Sequence, residues 1–488
     1  MDMKITLAQL AGQIMQERGL EPEFSQEELQ QLSRISKPAP ISPKYVDLRS
    51  LLWCSIDNDD SRDLDQLTCA EKGKDNKTIC WIAIADVDAL VEKDSPIDAH
   101  AQLNTTSVYT PAKIFAMLPE KLSTDLTSLN ENEDRLAMVV KIQINETGEV
   151  EDSSIFEAAV RNYAQLTYEA VGQWLEGKSA SPDKVKKIPG LDQNLELQHE
   201  IAQLFRQKRH VAGALTLESS KAEFKISRNN QIEVQLAPHN AAHQLIEEFM
   251  IAANRVMADR FSKEKIASLR RVVRIPKYWS RIIEVAKGFG EELPDQPDSK
   301  ALDSFLINRQ QADPVSFPDL SLTIIKLLGR GEYVVENDQD SPVGHFALAL
   351  SDYTHSTAPN RRFPDLISQR QYKAFLRGEK GPYTVEELNR LAAHCTQQED
   401  AAQKVERQVN KSAAAMLLSS QIGKVFKGII TGVNDQGTWV RVFQPTVEGK
   451  VIQQTGKLNI GDRVSVRLKY VDIPKGFIDF VFVGKEKD

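Results

Sequence analysis

The spacing of apolar positions divides the chain into four stretches. In residues 1–46, Leu7, Leu10, Ile14 and Met15 recur at helical steps, and Gly19 reads as a stop. A second helix starts at Ser25, where Glu28 completes a capping box and Phe24 and Leu29 take the staple positions. The three prolines of SKPAPISPK then read as a linker. Residues 78–85 and 136–144 are strand-like runs; the second turns at 146–148 and returns over 150–159 as a hairpin. Helical spacing takes over at 163–176, 242–260 and 364–376, so residues 47–383 read as one mixed α+β body. Residues 384–418 predict a single long helix, with a Thr384–Glu387 capping box and an apolar stripe of Leu388, Leu391, Cys395, Ala402, Val405 and Val409. Residues 419–488 alternate in the strand manner, with turns expected at 434–437, Gly449 and 461–462. Five short strands so divided suit a small closed β-barrel of the OB type.

Composition adds little to this until it is read locally. The 488 residues suit about three domains at ~150 residues each, and 41% apolar residues suffice for a sizeable core. The net charge of −8 does not advertise a polyanion partner. Residues 419–488, however, hold 11 Lys or Arg against 7 Asp or Glu, which leaves the excess acid on the body. A basic end module on an acidic body fits a nucleic-acid enzyme with separate binding and metal sites. Cys54, Cys69, Cys80 and Cys395 form no C-x-x-C pair, so neither a zinc site nor a disulfide framework is indicated and a reducing cytoplasm is expected. MDMKITLAQL does not read as a signal peptide, and no run approaches ~18 apolar residues, so no membrane association is expected.

The sharpest chemical feature is IDNDDSRDLDQ at 56–66, with five aspartates: Asp57, Asp59, Asp60, Asp63 and Asp65. In a straight strand Asp57 and Asp65 would lie ~26 Å apart, so they share a cation only if the chain folds back. Clustered carboxylates repel unless a cation neutralises them, and hard oxygen ligands select Mg²⁺ or Mn²⁺. A solvated acidic turn is the plain alternative. A calcium EF-hand is excluded, because from Asp57 its sixth position would be Arg62 and its twelfth Thr68. The apolar segments on both sides, 51–53 and 78–85, set the loop between core elements.

This loop resembles the first catalytic motif of the ribonuclease II/R family, whose catalytic region is the RNB domain. Ser55-Ile56-Asp57 and Asp63-Leu64-Asp65-Gln66 carry the likeness. IAIADVDALV (82–91), SVYTPAKIFAMLPEKLSTDLTSLN (107–130), IEEFMIAAN (246–254) and GHFALALSDYTHSTAPNRRFPDLISQR (344–370) follow in family order. The resemblance covers residues 45–488 and implies a processive 3′→5′ exoribonuclease acting on single-stranded RNA with Mg²⁺ or Mn²⁺ and releasing nucleoside 5′-monophosphates. It makes Asp57, Asp63 and Asp65 the catalytic and metal-binding acids, with Gln66 beside them, and Arg361 the holder of the scissile phosphate. Tyr109 and Tyr168 then position the terminal nucleotides, Glu247 accepts from a ribose 2′-hydroxyl, and Glu406 lies near the terminal base. Tyr353 falls in the late signature and is grouped with the RNA contacts; His345 there has no assigned role.

The C-terminal module resembles the RNA-binding OB fold named after a small-subunit ribosomal protein. There Phe426 and Trp439 are expected to stack on bases, and Lys427 and Arg441, with Lys424 and Lys450, to draw in the backbone. Paired cold-shock-type modules are not evident at the N-terminus, where the 1–46 helices stand instead. The domains read as 1–46, 47–383, 384–418 and 419–488, in a monomer. Two departures matter. The family's fourth aspartate is Gln66, which Asp59 or Asp60 would replace in part, and its T-S-P-I reads Thr357-Ala358-Pro359-Asn360. They keep open a second reading, an RNB-fold RNA-binding regulator without activity. A DNA nuclease fits less well with Glu247 as a ribose sensor.

Overall fold

The computed structural model describes residues 3–73, 77–218, 222–226, 232–236, 239–314, 316–336, 343–453, 456–459 and 461–485. Helices α1 (Met3–Glu17) and α2 (Gln26–Arg34) come first, α2 closed by the expected Ser25–Glu28 capping box. Strands β1 (Val46–Asp47), β2 (Cys54–Asp57), β3 (Gln66–Lys72) and β4 (Thr78–Ala85) follow, then α3 (Pro96–Asn104) and the ribbon β5 (Val108–Tyr109)–β6 (Ile114–Phe115). Strands β7 (Asp134–Ile144), β8 (Val150–Arg161) and β9 (Ala164–Thr167) complete a seven-stranded sheet in the order β1-β8-β7-β4-β3-β2-β9.

The remaining body holds α4 (Tyr168–Leu175), α5 (Asp183–Lys186), α6 (Leu191–Ala212), the ribbon β10 (Ala222–Ile226)–β11 (Ile232–Leu236), α7 (Ala241–Lys263) and β12 (Ser268–Val272). Then come α8 (Trp279–Gly288), α9 (Ser299–Ala312), α10 (Phe317–Leu328), β13 (Glu332–Glu336), α11 (Phe363–Leu376) and α12 (Val385–Leu418). Both faces of the sheet are covered. Leu67, Ala83 and Val139 pack with α11 and α12 on one side; Ile56, Ile82 and Val140 pack with α6 and α7 on the other. That double burial explains why β4 reads as a nearly continuous apolar run.

Helix α12 runs unbroken for 34 residues and threads three clusters, with Cys395 against the sheet, Val405 and Val409 against α1, and Ala414 and Leu418 in the end barrel. The barrel is closed by β14 (Val425–Asn434), β15 (Gly437–Phe443), β16 (Thr446–Gln453), β17 (Arg463–Asp472) and β18 (Phe477–Lys485) in the order β14-β15-β16-β18-β17.

Two expectations need correction. Residues 164–167 form a strand, because pairing in parallel with β2 outweighs their helical spacing, and the helix starts only at Tyr168. Gly449 lies inside β16 and the turn falls at 444–445; a Cβ at 449 would sit 2.5 Å from the Phe480 ring and 2.6 Å from the Ile478 carbonyl. Glycine there permits close packing across the barrel.

Candidate active site

The acidic loop leaves the sheet at Asp57, the last residue of β2, and returns at Gln66, the first of β3. Its reversal is built from local hydrogen bonds. Asn58 N–H and Ser61 Oγ both donate to Asp57 Oδ1 at 2.8 Å. The returning limb is clamped by residues 127–130: Leu64 N–H donates to Ser128 Oγ at 3.0 Å, Ser128 Oγ donates to the Arg62 carbonyl at 2.7 Å, and Leu129 N–H to the Leu64 carbonyl at 3.0 Å. The chain thus folds back as cation sharing requires.

Asp65 sits deepest, 2% exposed. Its Oδ1 accepts the Asn360 N–H at 2.9 Å. Its Oδ2 lies 3.4 Å from Arg361 Nε, yet is buried without a hydrogen bond. Tyr109 Oη donates to Asp63 Oδ2 at 3.4 Å, and the Tyr109 N–H donates to Glu406 Oε1 at 2.9 Å, tying α12 to the acid loop. Asp57 pairs in register with Thr167, which brings the next residue, Tyr168, beside it. The structure therefore brings Asp57, Asp63, Asp65, Arg361, Tyr109, Tyr168 and Glu406 together.

Burial dominates the electrostatics. It raises the carboxyls of Asp57 and Asp63 against the pull of Arg361 and local donors. It pushes Asp65 up to about 7, with Asp63 and Asp365 adding repulsion and Arg361 and the Asn360 N–H opposing. Three desolvated carboxylates and an orphaned carboxylate oxygen are chemically suited to a hard divalent cation. Mg²⁺ keeps several of its waters, so the acids need not touch one another.

The trio of His, Cys, Asp or Glu ligand atoms that does lie within 4.8 Å among the described residues is elsewhere: Glu21, Glu28 and His100. It does not suit a metal. The Asn104 amide is fixed by the Glu21 main chain, with Oδ1 accepting from its N–H and Nδ2 donating to its carbonyl, both at 2.8 Å. Nδ2 also faces His100 Nε2 at 3.1 Å. Nε2 must then accept, which leaves the proton on Nδ1, facing Glu28 at 3.4 Å and Glu21 at 3.8 Å. No lone pair remains there for a cation, and the trio pins α2 to α3.

Other expected residues fall at different depths. Glu247 of α7, half exposed, faces His239, just before that helix, and Arg209 of α6. Asp59 and Asp60 point to solvent, Asp60 reaching Lys225, so neither stands in for the missing fourth acid. Gln66 is 9% exposed and pairs with Ile84 through its backbone. Tyr353 is not surface for RNA: it is 7% exposed, its hydroxyl accepts from Asn254 Nδ2 at 3.0 Å, and His345 and His355 pack edge-on against its ring. Phe426 likewise turns into the barrel core against Phe480, because β14 must bury one face to close the barrel. Trp439 and Arg441 share the outer face of β15, where Arg441 reaches Asp319 of α10 at 2.7 Å, and Lys427 is exposed.

Sequence reading missed the supports of the site, namely Ser128, Asn360 and a buried ionic network. Lys373 Nζ bridges Asp86 at 2.7 Å and Asp88 at 2.9 Å, while Arg370 binds Asp88, Asp98 and Tyr383. The network locks α11, the helix that follows Arg361, onto the end of β4. The charged residues beside the apolar positions of 82–91 and 363–376 were its signal.

Residues 45–378 match the family described as RNB domain, and residues 424–483 match the RNase II-type exonuclease C-terminal S1 domain. The chain is 32% identical over 496 residues to Ribonuclease R of Escherichia coli (strain K12), covering 94% of this chain and 60% of that protein. It is 30% identical to Ribonuclease R of Aquifex aeolicus (strain VF5), covering 90% of this chain and 65% of that one. The chain thus spans about 60% of the length of these relatives. In fold it matches Mycoplasma genitalium RNase R in complex with ribose-methylated single-stranded RNA, with a TM-score of 0.85 at 24% identity, over 96% of this chain and 77% of that one. It also matches yeast Ssd1, a pseudonuclease, with a TM-score of 0.73 at 16% identity, over 94% and 57%.

Proposed function

The chain belongs to the RNB-domain family, and from that premise we propose that it is a 3′→5′ exoribonuclease hydrolysing single-stranded RNA processively to nucleoside 5′-monophosphates. One observation carries the reading: the folded-back loop sets Asp63 and Asp65 against Tyr109 and Arg361, with one buried Asp65 oxygen left unsatisfied. Asp57, Asp63 and Asp65 would hold Mg²⁺ or Mn²⁺, Gln66 contributing at most a neutral amide oxygen. Such an ion, when bound, acidifies a water and offsets charge at the scissile phosphate.

The chain's own residues supply the rest. Arg361 is anchored through Nε at Asp65 and its side chain is 42% exposed, so the guanidinium is accessible to phosphate oxygens. Glu406 fixes the Tyr109 backbone, and the Tyr109 hydroxyl at Asp63 sets its ring beside the acids as a platform for the terminal nucleotide. Tyr168, beside Asp57, takes the neighbouring position, and Glu247 lies along the path as acceptor for a ribose hydroxyl. Trp439 and Lys427 extend the RNA contact onto the barrel. We place the protein in the cytoplasm as a monomer; its four cysteines are buried free thiols, as a reducing compartment allows.

Gln66 favours a second reading, an RNA-binding regulator that does not cleave. End-labelled single-stranded RNA incubated with Mg²⁺ or Mn²⁺ separates the two. Stepwise shortening from the 3′ end that disappears in Asp65→Asn supports the nuclease. Tight binding with intact RNA in both metals supports the regulator.

A further inference from the structure

A stripe at the start of helix α7 sets two histidines that have no role above beside Glu247. His243 and Glu247 stand four residues apart on one face of α7, and His239, just before the N-cap Asn240, lies against both. Tyr168 stacks flat on His243, with centroids 3.9 Å apart and planes 14° apart, and His239 follows 5.5 Å beyond. Burial holds the His243 ring down at about 4, so it stacks as a neutral plate. The stack is anchored from behind. Asn240 Nδ2 donates to the Tyr168 carbonyl at 2.8 Å, and Gly172 makes room, since a Cβ there would lie 2.2 Å from Asn240 Cγ. One face of Tyr168 is therefore taken by His243, and a base has only the other.

Glu247 ends the stripe. Its Oε2 is 3.3 Å from His239 Nε2, and its Oε1 is 3.7 Å from Arg209 Nη2. Arg209 is already committed to the buried Glu248, with Nε donating to Oε2 at 2.8 Å and Nη2 contacting Oε1. Arg209 is thus a neighbouring charge to Glu247, whereas His239 is within hydrogen-bond reach.

We propose that His239 is a specificity-determining residue: by donating from Nε2 to Glu247 Oε2, it orients the carboxylate so that its remaining lone pairs accept from the 2′-hydroxyl of a ribose passing Tyr168. This rests on the reading of Glu247 as a ribose sensor. A carboxylate has about four acceptor sites, so one donor can fix its plane and leave the others for the ribose. DNA brings no such donor.

The test uses the full chain carrying Asp65→Asn, which keeps nucleic acid intact, and measures anisotropy with a labelled single-stranded RNA and the DNA of the same sequence. His239→Ala should lower the RNA-to-DNA affinity ratio about five-fold, equivalent to ~1 kcal/mol. The loss should fall on RNA alone, and His239→Gln, which keeps an N–H donor, should restore most of it. Glu247→Ala should lower the ratio at least as far. If Glu247→Ala lowers the ratio and His239→Ala does not, the role of His239 is overturned while that of Glu247 stands. If Glu247→Ala leaves the ratio unchanged, the underlying reading falls and this proposal with it. Equal losses on RNA and DNA in His239→Ala also overturn it, since they mark a structural role.

Discussion

Replacing Asp65 by asparagine should stabilise the metal-free protein at alkaline pH and remove part of its pH dependence. Asp65 is 2% exposed, and burial lifts its carboxyl from 3.8 to about 7. A group whose folded pKa lies above its unfolded value keeps its proton on folding. Its contribution is therefore fully present below about pH 4 and is lost as the pH rises to about 7. About three units at ~1.4 kcal/mol each put that loss at ~4 kcal/mol. Asparagine keeps the shape and the acceptor for the Asn360 N–H, and the attraction of Arg361 is already counted in that figure, so the net gain at about pH 8 should be ~3–4 kcal/mol, or a few degrees in Tm. Thermal unfolding of both proteins in chelator, from about pH 4.5 to about pH 8.5, should give curves that meet at the acid end and separate towards neutrality, the variant higher. Adding Mg²⁺ at about pH 8 should raise the original chain and not the variant, because cation binding stabilises only the state that holds it. Curves that run parallel, or a variant that melts lower at about pH 8, would refute the idea that this carboxylate is a desolvated charge suited to a cation.

Three further outcomes follow from particular contacts. Lys373→Met leaves Asp86 without its buried cation and Asp88 with Arg370 alone, and should cost ~3–5 kcal/mol, read from a lower denaturant midpoint. Arg361→Lys replaces a planar fork with a point charge; turnover should fall ~100-fold while RNA affinity changes much less, which steady-state kinetics beside anisotropy will separate. Gly449→Ala forces a methyl onto Phe480 and the Ile478 carbonyl, so the barrel should lose ~2 kcal/mol and yield first to limited proteolysis, with a matching drop in RNA affinity.

Local signals carried much of the architecture. The capping boxes at Ser25 and Thr384 mark helix starts, and β4 is legible because both its faces are buried. What sequence spacing misjudged was decided by partners far along the chain. Residues 164–167 became a strand because β2 needed an edge, and Gly449 stays within β16 because Phe480 packs against it. The same holds at the site. The aspartates stand out because charge is concentrated in one short loop, and the family motifs carried Arg361 with them. Asn360, which donates to Asp65 across 295 residues, has no local mark. Tyr353 and Phe426 show the opposite error: an aromatic ring in a functional motif was read as a contact surface, while its neighbours required it inside the core.

The helix α12 is 34 residues long, which makes it a rod of ~51 Å whose two ends are seated in different cores. The barrel is therefore indexed to the acidic loop by helix geometry. One residue inserted near Gln403 would rotate the barrel by ~100° and shift it ~1.5 Å, breaking the Arg441–Asp319 contact and turning Val405 and Val409 out of register with α1. The spacing between the barrel and the acidic loop can change without turning one against the other only in steps close to whole helical turns.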